Sequence, residues 1–436
     1  MKLITHINSA LGRGGFLRQA AAIGFGSVAG QVVVIAGSFI LTRIFSPDNF
    51  AVLAIYVSVV SLFFEVATGK YELAALLPDS EKEAINLITL SVFISTAVSI
   101  LLAVLIFVIG DRALDYYELP HLKILLWLIP PGVAISAWQS SAMRWQTRKE
   151  RFLTIGISKG LLGVSTIMFQ VCVGTLAASS SAIVLVIGNV IGRFVGLSFL
   201  LRGMAMDLWN SRSDISCKQM WFVCKKYWKF PVYLGPSGLV GIATHVLPFV
   251  LIGLWFGETT LGYYALTERT LLLPTGLIGD SLGVVFFKRA ALAKSDGVRS
   301  RSLLVKLSAF LLLIAIIPSL IIFFFGSELY GFAFGEQWER SGQLASAFIF
   351  LAITKFVVWP TRMLLQAVHS QLLSFIWFVV YFALTTGSFW FGKITNSVDN
   401  AIVCYSIISS FMFILYWVIS FIVLGNVKSK NYATEA

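Results

Sequence analysis

Twelve stretches of about twenty residues, each nearly free of charge, run through this chain at 20–41, 50–69, 86–109, 122–141, 152–177, 181–202, 231–256, 261–287, 303–326, 342–360, 372–392 and 399–425. No other feature narrows the fold as much. A hydrocarbon core about 30 Å thick needs about 20 helical residues at about 1.5 Å each, so every stretch can cross it. A strand barrel is excluded, because its segments would alternate apolar with polar residues and these runs are continuous. Only 12% of the 436 residues are charged, about half the share of a soluble domain. That is too little polar surface for a soluble enzyme, and far too much apolar sequence for a disordered chain or a disulfide scaffold. The expected fold is an all-α integral membrane protein of about 12 transmembrane helices, with connectors too short for a large soluble domain.

The charge is lopsided. With the N-terminus inside, 24 of the 33 Lys and Arg fall in inner segments and five in outer ones, the other four lying within spans. Cytoplasmic loops collect positive residues, so both termini are expected in the cytoplasm, which requires an even number of spans. The same bias explains the net charge of +12 without invoking nucleic acid. The first apolar stretch is long enough to span, so the N-terminus does not read as a cleavable signal. Cys172, Cys217, Cys224 and Cys404 have no CxxC spacing and read as reduced thiols.

The connector at 203–230 divides the chain into an N-terminal lobe, 1–202, and a C-terminal lobe, 231–436. Within it, Met220, Trp221, Cys224 and Trp228 are expected on one helical face, ringed by Lys218, Lys225, Lys226 and Lys229, as in a helix lying in the cytoplasmic interface. IFSPDNFAVLA (44–54) and WFGETTLGYYAL (255–266) form a short internal repeat. Each follows an outward-going span and brings an acid, Asp48 or Glu258, to the turn. Six spans per half give both copies one orientation, a parallel repeat about an axis along the membrane normal.

Catalytic motifs are missing. GFGSVAG (24–30) lacks the Lys-Ser/Thr of a phosphate loop and reads as close helix packing through small residues. HExxH, GxSxG and paired Cys/His patterns do not occur, and the four histidines are scattered, so no metal or other cofactor is expected. What remains is charge inside the spans, which costs at least about 2.5 kcal/mol per residue near the bilayer centre. The deep cations are Lys159, Arg193, Arg269 and Lys355; the acids are Glu65, Glu268 and Asp280. The cations are candidates for binding an anionic substrate, since the planar fork of arginine suits phosphate. The acids are candidates for ion coupling or for charge pairing. Internal ion pairs and snorkelling side chains remain the alternative for each.

Several segments resemble bacterial polysaccharide-biosynthesis flippases, which export lipid-linked O-antigen, capsule or exopolysaccharide units. They are LTRIFSPDNFAVLAIYVSVVSL (41–62) with GKYELAALLPDSEKEAINL (69–87), KFPVYLGPSGL (229–239), FGETTLGYYALTERTLLLPTGLIGDSLGVVFFKRA (256–290) and FGEQWERSG (334–342). The matches keep their order across most of the chain. The wider superfamily holds the multidrug and toxin extrusion transporters and the lipid II flippase. The resemblance implies two six-helix lobes related by a pseudo-twofold axis around a V-shaped cleft. It also implies a cargo of undecaprenyl pyrophosphate carrying an oligosaccharide. In the lipid II flippase, the arginine of a Tyr-Ala-x-x-Arg-Leu-x-x-x-Pro stretch is functional. Here YALTERTLLLP (264–274) places Arg269 in that role, one residue further from the tyrosine and followed by Thr270.

The reading from sequence is a non-enzymatic, alternating-access flippase of the bacterial inner membrane, coupled to a proton or sodium gradient. Its partners would be the lipid-linked oligosaccharide, membrane lipids and polysaccharide-assembly proteins, with no nucleic acid. The rivals are a drug or cation antiporter of the same fold, which would favour an acidic or aromatic cleft, and a membrane polymerase or ligase, which would carry a large outer loop.

Overall fold

A computed structural model describes residues 15–116, 123–176, 181–272, 275, 297–361 and 371–426. The described residues are mostly helical, and each of the twelve expected spans falls on helical segments, the eighth over 261–272 and the tenth over a bent pair. The chain divides into two compact units, Met1–Val246 and Leu247–Ala436. The division lies inside a helix.

In the first unit the long helices are α1 (Gly15–Ile44), α2 (Pro47–Ala67), α4 (Glu81–Tyr116), α5 (Lys123–Arg148), α6 (Phe152–Leu176) and α7 (Ala182–Asn210). Two short ones, α3 (Tyr71–Ala74) and α8 (Cys217–Lys226), join them. Helix α9 (Gly235–Phe256), entered through a π-helical turn at Phe230–Leu234, crosses the division. Helix α1 packs on α6, α6 on α7, and α5 on α4 and α7. The α1–α6 approach depends on glycine: a Cβ at Gly163 would lie 2.6 Å from the Gly30 carbonyl oxygen. Gly30, the last residue of GFGSVAG, is thus a packing residue. Helix α5 carries Pro130 and Pro131 in its interior, tolerated where neighbouring helices bury the freed backbone groups.

The connector helix α8 belongs to the first unit. Val223 is fully buried in a core with Ile85, Ile88, Trp145 and Leu200. Lys226 pairs with Glu83 at 2.7 Å, and that hydrogen bond holds its ammonium above the usual lysine range. The expected apolar face is corrected here. Trp221 and Trp228 are 61% and 48% exposed, while Met220, Val223, Cys224 and Tyr227 turn inward. The helix ends at Lys226, so Trp228 cannot share its face.

The second unit holds α10 (Glu258–Thr267), running into a π-helical turn at Glu268–Leu272, then α11 (Gly297–Phe334), α12 (Glu339–Ala347), α13 (Ile349–Val358), α14 (Gln371–Ile394) and α15 (Val398–Asn426). Helix α11 breaks at Phe325, where φ is −123° and ψ 21°. The expected tenth span is bent, with α12 and α13 meeting at 57°. Tyr264, Phe348, Phe389 and Tyr405 fill the core, with Phe249 edge-on to Tyr264 at 4.9 Å between centroids. Both copies of the sequence repeat start a helix: Asp48 and Glu258 lie in the first turns of α2 and α10, where the helix dipole favours a carboxylate.

Seven helices among the described residues are long and apolar enough to cross a membrane, and the bent pair makes eight. Phe107 and Phe332 are 75% and 85% exposed, as side chains that meet lipid would be. This is a multi-pass membrane protein.

Candidate functional site

The candidate residues fall in both units, and each unit builds its own polar interior. In the first, Arg193 stands on α7, where its Nε donates to Asn189 Oδ1 at 3.1 Å and its Nη1 to Ser136 Oγ at 3.1 Å. Asn189 is one turn back on the same helix, so the guanidinium is aimed by its own helix and by α5 together. Tyr56, on α2, is its electrostatic neighbour and donates to the Leu128 carbonyl at 3.1 Å. Lys159 lies on α6, half-buried, and its carbonyl oxygen would be 2.7 Å from a Cβ at Gly30. That places Lys159 at the tight α1–α6 crossing.

Glu65 is not deep within its span. It sits in the last turn of α2 and binds Lys70 Nζ at 2.5 Å. The carboxylate fills the space that a side chain at Gly238 of α9 would need, which accounts for a glycine in the GPSG segment. Both Gly69 and Lys70 have positive φ, 58° and 59°. This turns the chain sharply back into α3.

That turn buries an acid the sequence analysis did not single out. Glu72 is 2% exposed. Burial pushes its carboxyl above the usual range, against the opposing pull of the Thr68 hydroxyl, Lys70 and Arg144. Its Oε2 has no hydrogen-bond partner among the described residues. The signal that could have found it is its place in GKYELAALLP: an acid in a short connector whose other residues are mostly apolar.

In the second unit, Glu268 and Arg269 open the π-helical turn after α10. Arg269 lies 11 residues past Glu258, about 16 Å along the helix at about 1.5 Å per residue. A π turn is an α turn widened by one residue, and such turns concentrate at functional sites. The extra residue of YALTERTLLLP relative to the related pattern coincides with it. The turn is fixed on both sides. Thr267 donates to the Ser341 carbonyl at 2.8 Å, and the Thr270 and Tyr330 hydroxyls meet at 2.7 Å. Glu268 is buried near Tyr264. Tyr264, Tyr405, Tyr381 and Ser409 are joined hydroxyl to hydroxyl, the last link measuring 3.0 Å. Lys355 projects from α13, which packs against the π turn, and its ammonium lies 5.3 Å from the Trp359 ring centroid. Asp280 lies outside the described residues.

Arg193 presents a fixed guanidinium with two neutral hydrogen-bond partners, an arrangement that leaves its charge uncompensated by those partners. Glu65, in contrast, is neutralised locally by Lys70. Among the described residues, no three His, Cys, Asp or Glu side chains cluster closely enough to hold a metal ion.

A family of proteins described as polysaccharide biosynthesis proteins matches residues 40–343. No curated protein sequence matches. Among solved structures, the fold is similar to an inward-facing multidrug resistance MATE family transporter of the MOP superfamily, at 11% identity over 95% of this chain and 99% of that one, with a TM-score of 0.69. It is also similar to the lipid II flippase MurJ in an inward closed conformation, at 12% identity over 94% of this chain and 90% of that one, again with a TM-score of 0.69. A MOP superfamily transporter from Pyrococcus furiosus, described by a reverse polarity of its binding pocket, matches at 12% identity over 95% and 96% of the two chains, with a TM-score of 0.61. These likenesses carry the fold, the all-α membrane architecture expected from the sequence.

Proposed function

We propose, from the premise that this chain belongs to the family of polysaccharide biosynthesis proteins, that it is a flippase moving undecaprenyl-pyrophosphate-linked oligosaccharide across the bacterial inner membrane. The family match is the observation that carries this reading, and the membrane-transporter fold is consistent with it. Transport would proceed by alternating access, with both termini cytoplasmic. Arg193 and Lys159 in the first unit, and Arg269 and Lys355 in the second, are each proposed as cations that meet the anionic cargo, the arginines through planar forks that suit phosphate. Glu268 is a candidate for coupling to a proton or sodium gradient. Glu65 is better described as a charge partner of Lys70, given their 2.5 Å contact.

The test is depletion of the protein in its native host. Lipid-linked oligosaccharide should accumulate on the cytoplasmic leaflet while surface polysaccharide disappears. Accumulation of unpolymerised units on the outer leaflet would point instead to a polymerase or ligase. Unchanged polysaccharide with new sensitivity to cationic drugs would point to an antiporter.

A further inference from the structure

We infer that Glu72 is a proton-binding site, and that its proton keeps the short helix α3 seated in the first unit. The carboxyl is 2% exposed and its Oε2 meets no hydrogen-bond partner among the described residues. A buried carboxylate left so is strongly disfavoured relative to the neutral acid.

The Thr68 hydroxyl, the backbone and the nearby cations oppose this only in part, because burial outweighs them and most of the surrounding charges are committed elsewhere. Lys70 is held by Glu65 at 2.5 Å. On α5, Arg148 donates to the carbonyls of Ala75 and Asp79 at 3.1 and 3.2 Å, and Lys149 pairs with Glu81. Arg144, also on α5, acts on Glu72 through space. On α4, Glu83 pairs with Lys226 and Lys82 faces Asp214 at 3.7 Å. Ala84, Ile85 and Ile88 of α4 share one apolar core with Tyr71, Ala74 and Ala75, and Phe230 of the π-helical turn packs against it. From α8, Cys224 Sγ lies 3.2 Å from the Tyr71 hydroxyl.

Helix α3 has only four residues, too few to hold itself together. Its seat is a set of tertiary contacts at the junction of α4, α5 and α8. Ionising Glu72 therefore works directly against that seat. The seated form binds the proton more tightly than the released form, so it gains stability at low pH. It loses that stability as pH rises from the ordinary carboxyl range through the raised value. Burial, which pushes the Glu72 carboxyl up, is the cause. Release of α3 gives up one proton to the side on which α8 lies. The link from this proton to cargo movement rests on the transport proposed above; the site itself does not.

Cys224 and Cys217 supply the measurement. Both lie on α8, Cys224 against Tyr71 and Cys217 exposed. The full chain, with Cys172 and Cys404 replaced by Ser, is placed in lipid nanodiscs without cargo and alkylated across about pH 5 to 8. The ratio of Cys224 to Cys217 labelling cancels the pH dependence common to thiols. The expected ratio rises with pH, by up to about tenfold per unit for a single proton. Glu72→Gln, which mimics the neutral acid, should hold it low and flat. Its infrared spectrum should also lack one protonated-carboxyl C=O stretch present in the parent. A flat ratio in the parent protein, which needs no variant at Glu72, overturns the proposal, as does a Gln variant that keeps the rise. Neither result bears on polysaccharide export, which the depletion experiment tests separately.

Discussion

Arg193 Nη1 reaches the hydroxyl of Ser136 across 3.1 Å, joining helices α7 and α5 through residues 57 positions apart. Ser136 in turn donates to the Gly132 carbonyl at 2.7 Å. Among the described residues the arginine is therefore anchored by the dipoles of Asn189 and Ser136, and under the proposed function its charge would be left to meet an anion.

Ser136→Ala removes one acceptor and should lower stability by about 1.5–3 kcal/mol, the range for a hydrogen bond to a charged group. A thermal melt of purified protein in detergent checks this. Arg193→Ala should go further and stop export. An unchanged melting temperature in Ser136→Ala would mean the bond does not hold the arginine.

Arg269→Ala should abolish polysaccharide export while membrane abundance stays near normal, because an arginine serving cargo is not needed for folding. Arg269→Lys should restore export only in part, since a point charge cannot reproduce the two-pronged contact. Immunoblotting of membranes beside surface-polysaccharide staining separates the outcomes. Lost abundance in the Ala variant would make Arg269 a structural partner of a buried acid.

Two glycines on α6 make an internally controlled pair. Gly163→Ala brings a methyl group to 2.6 Å from the Gly30 carbonyl oxygen, whereas a Cβ at Gly160 meets nothing within 4 Å. The first should cost about 1–3 kcal/mol through overpacking. The second should be neutral or stabilising by about 0.5–1 kcal/mol, because alanine is the better helix former. Equal melting temperatures for the two variants would remove the close α1–α6 crossing as a source of stability.

The proposed topology makes a labelling prediction. In intact cells a thiol reagent that cannot pass the inner membrane should miss Cys217 and Cys224. It should reach cysteines placed at Asp48 and Glu258, the acids that open α2 and α10. Labelling of the native pair from outside would reverse the orientation, and unequal access to the two new cysteines would break the parallel repeat.

The helices were legible because a twenty-residue apolar run is a local property that needs no knowledge of neighbours. Burial of a polar side chain is not local. Glu72 was not singled out in the sequence, and its burial depends on α4 and α5, which pack on α3 from outside its own segment. Glu65 looked deep because apolar residues continue past it to Thr68, yet α2 ends at Ala67 and the chain turns through Gly69 and Lys70. Met220, Trp221, Cys224 and Trp228 read as one helical face because the helical period was carried through to Trp228; the helix stops at Lys226. The π turn at Glu268 left one trace, the extra residue before Arg269, which periodicity could not convert into geometry.

Val223 seals a core whose earliest walls, Ile85 and Ile88, were made more than a hundred residues before it and whose later ones include Trp145 and Leu200. A nascent chain that has just finished α7 has six spans made but an unclosed interior at one end. Closure waits until α8 has left the ribosome and folded back. During that interval the apolar walls of α4 and α5 are open to wrong partners, including the helices of other nascent chains. The order of synthesis therefore sets a vulnerable period for the first unit, and its length is fixed by the distance along the chain from Asn210 to Lys226.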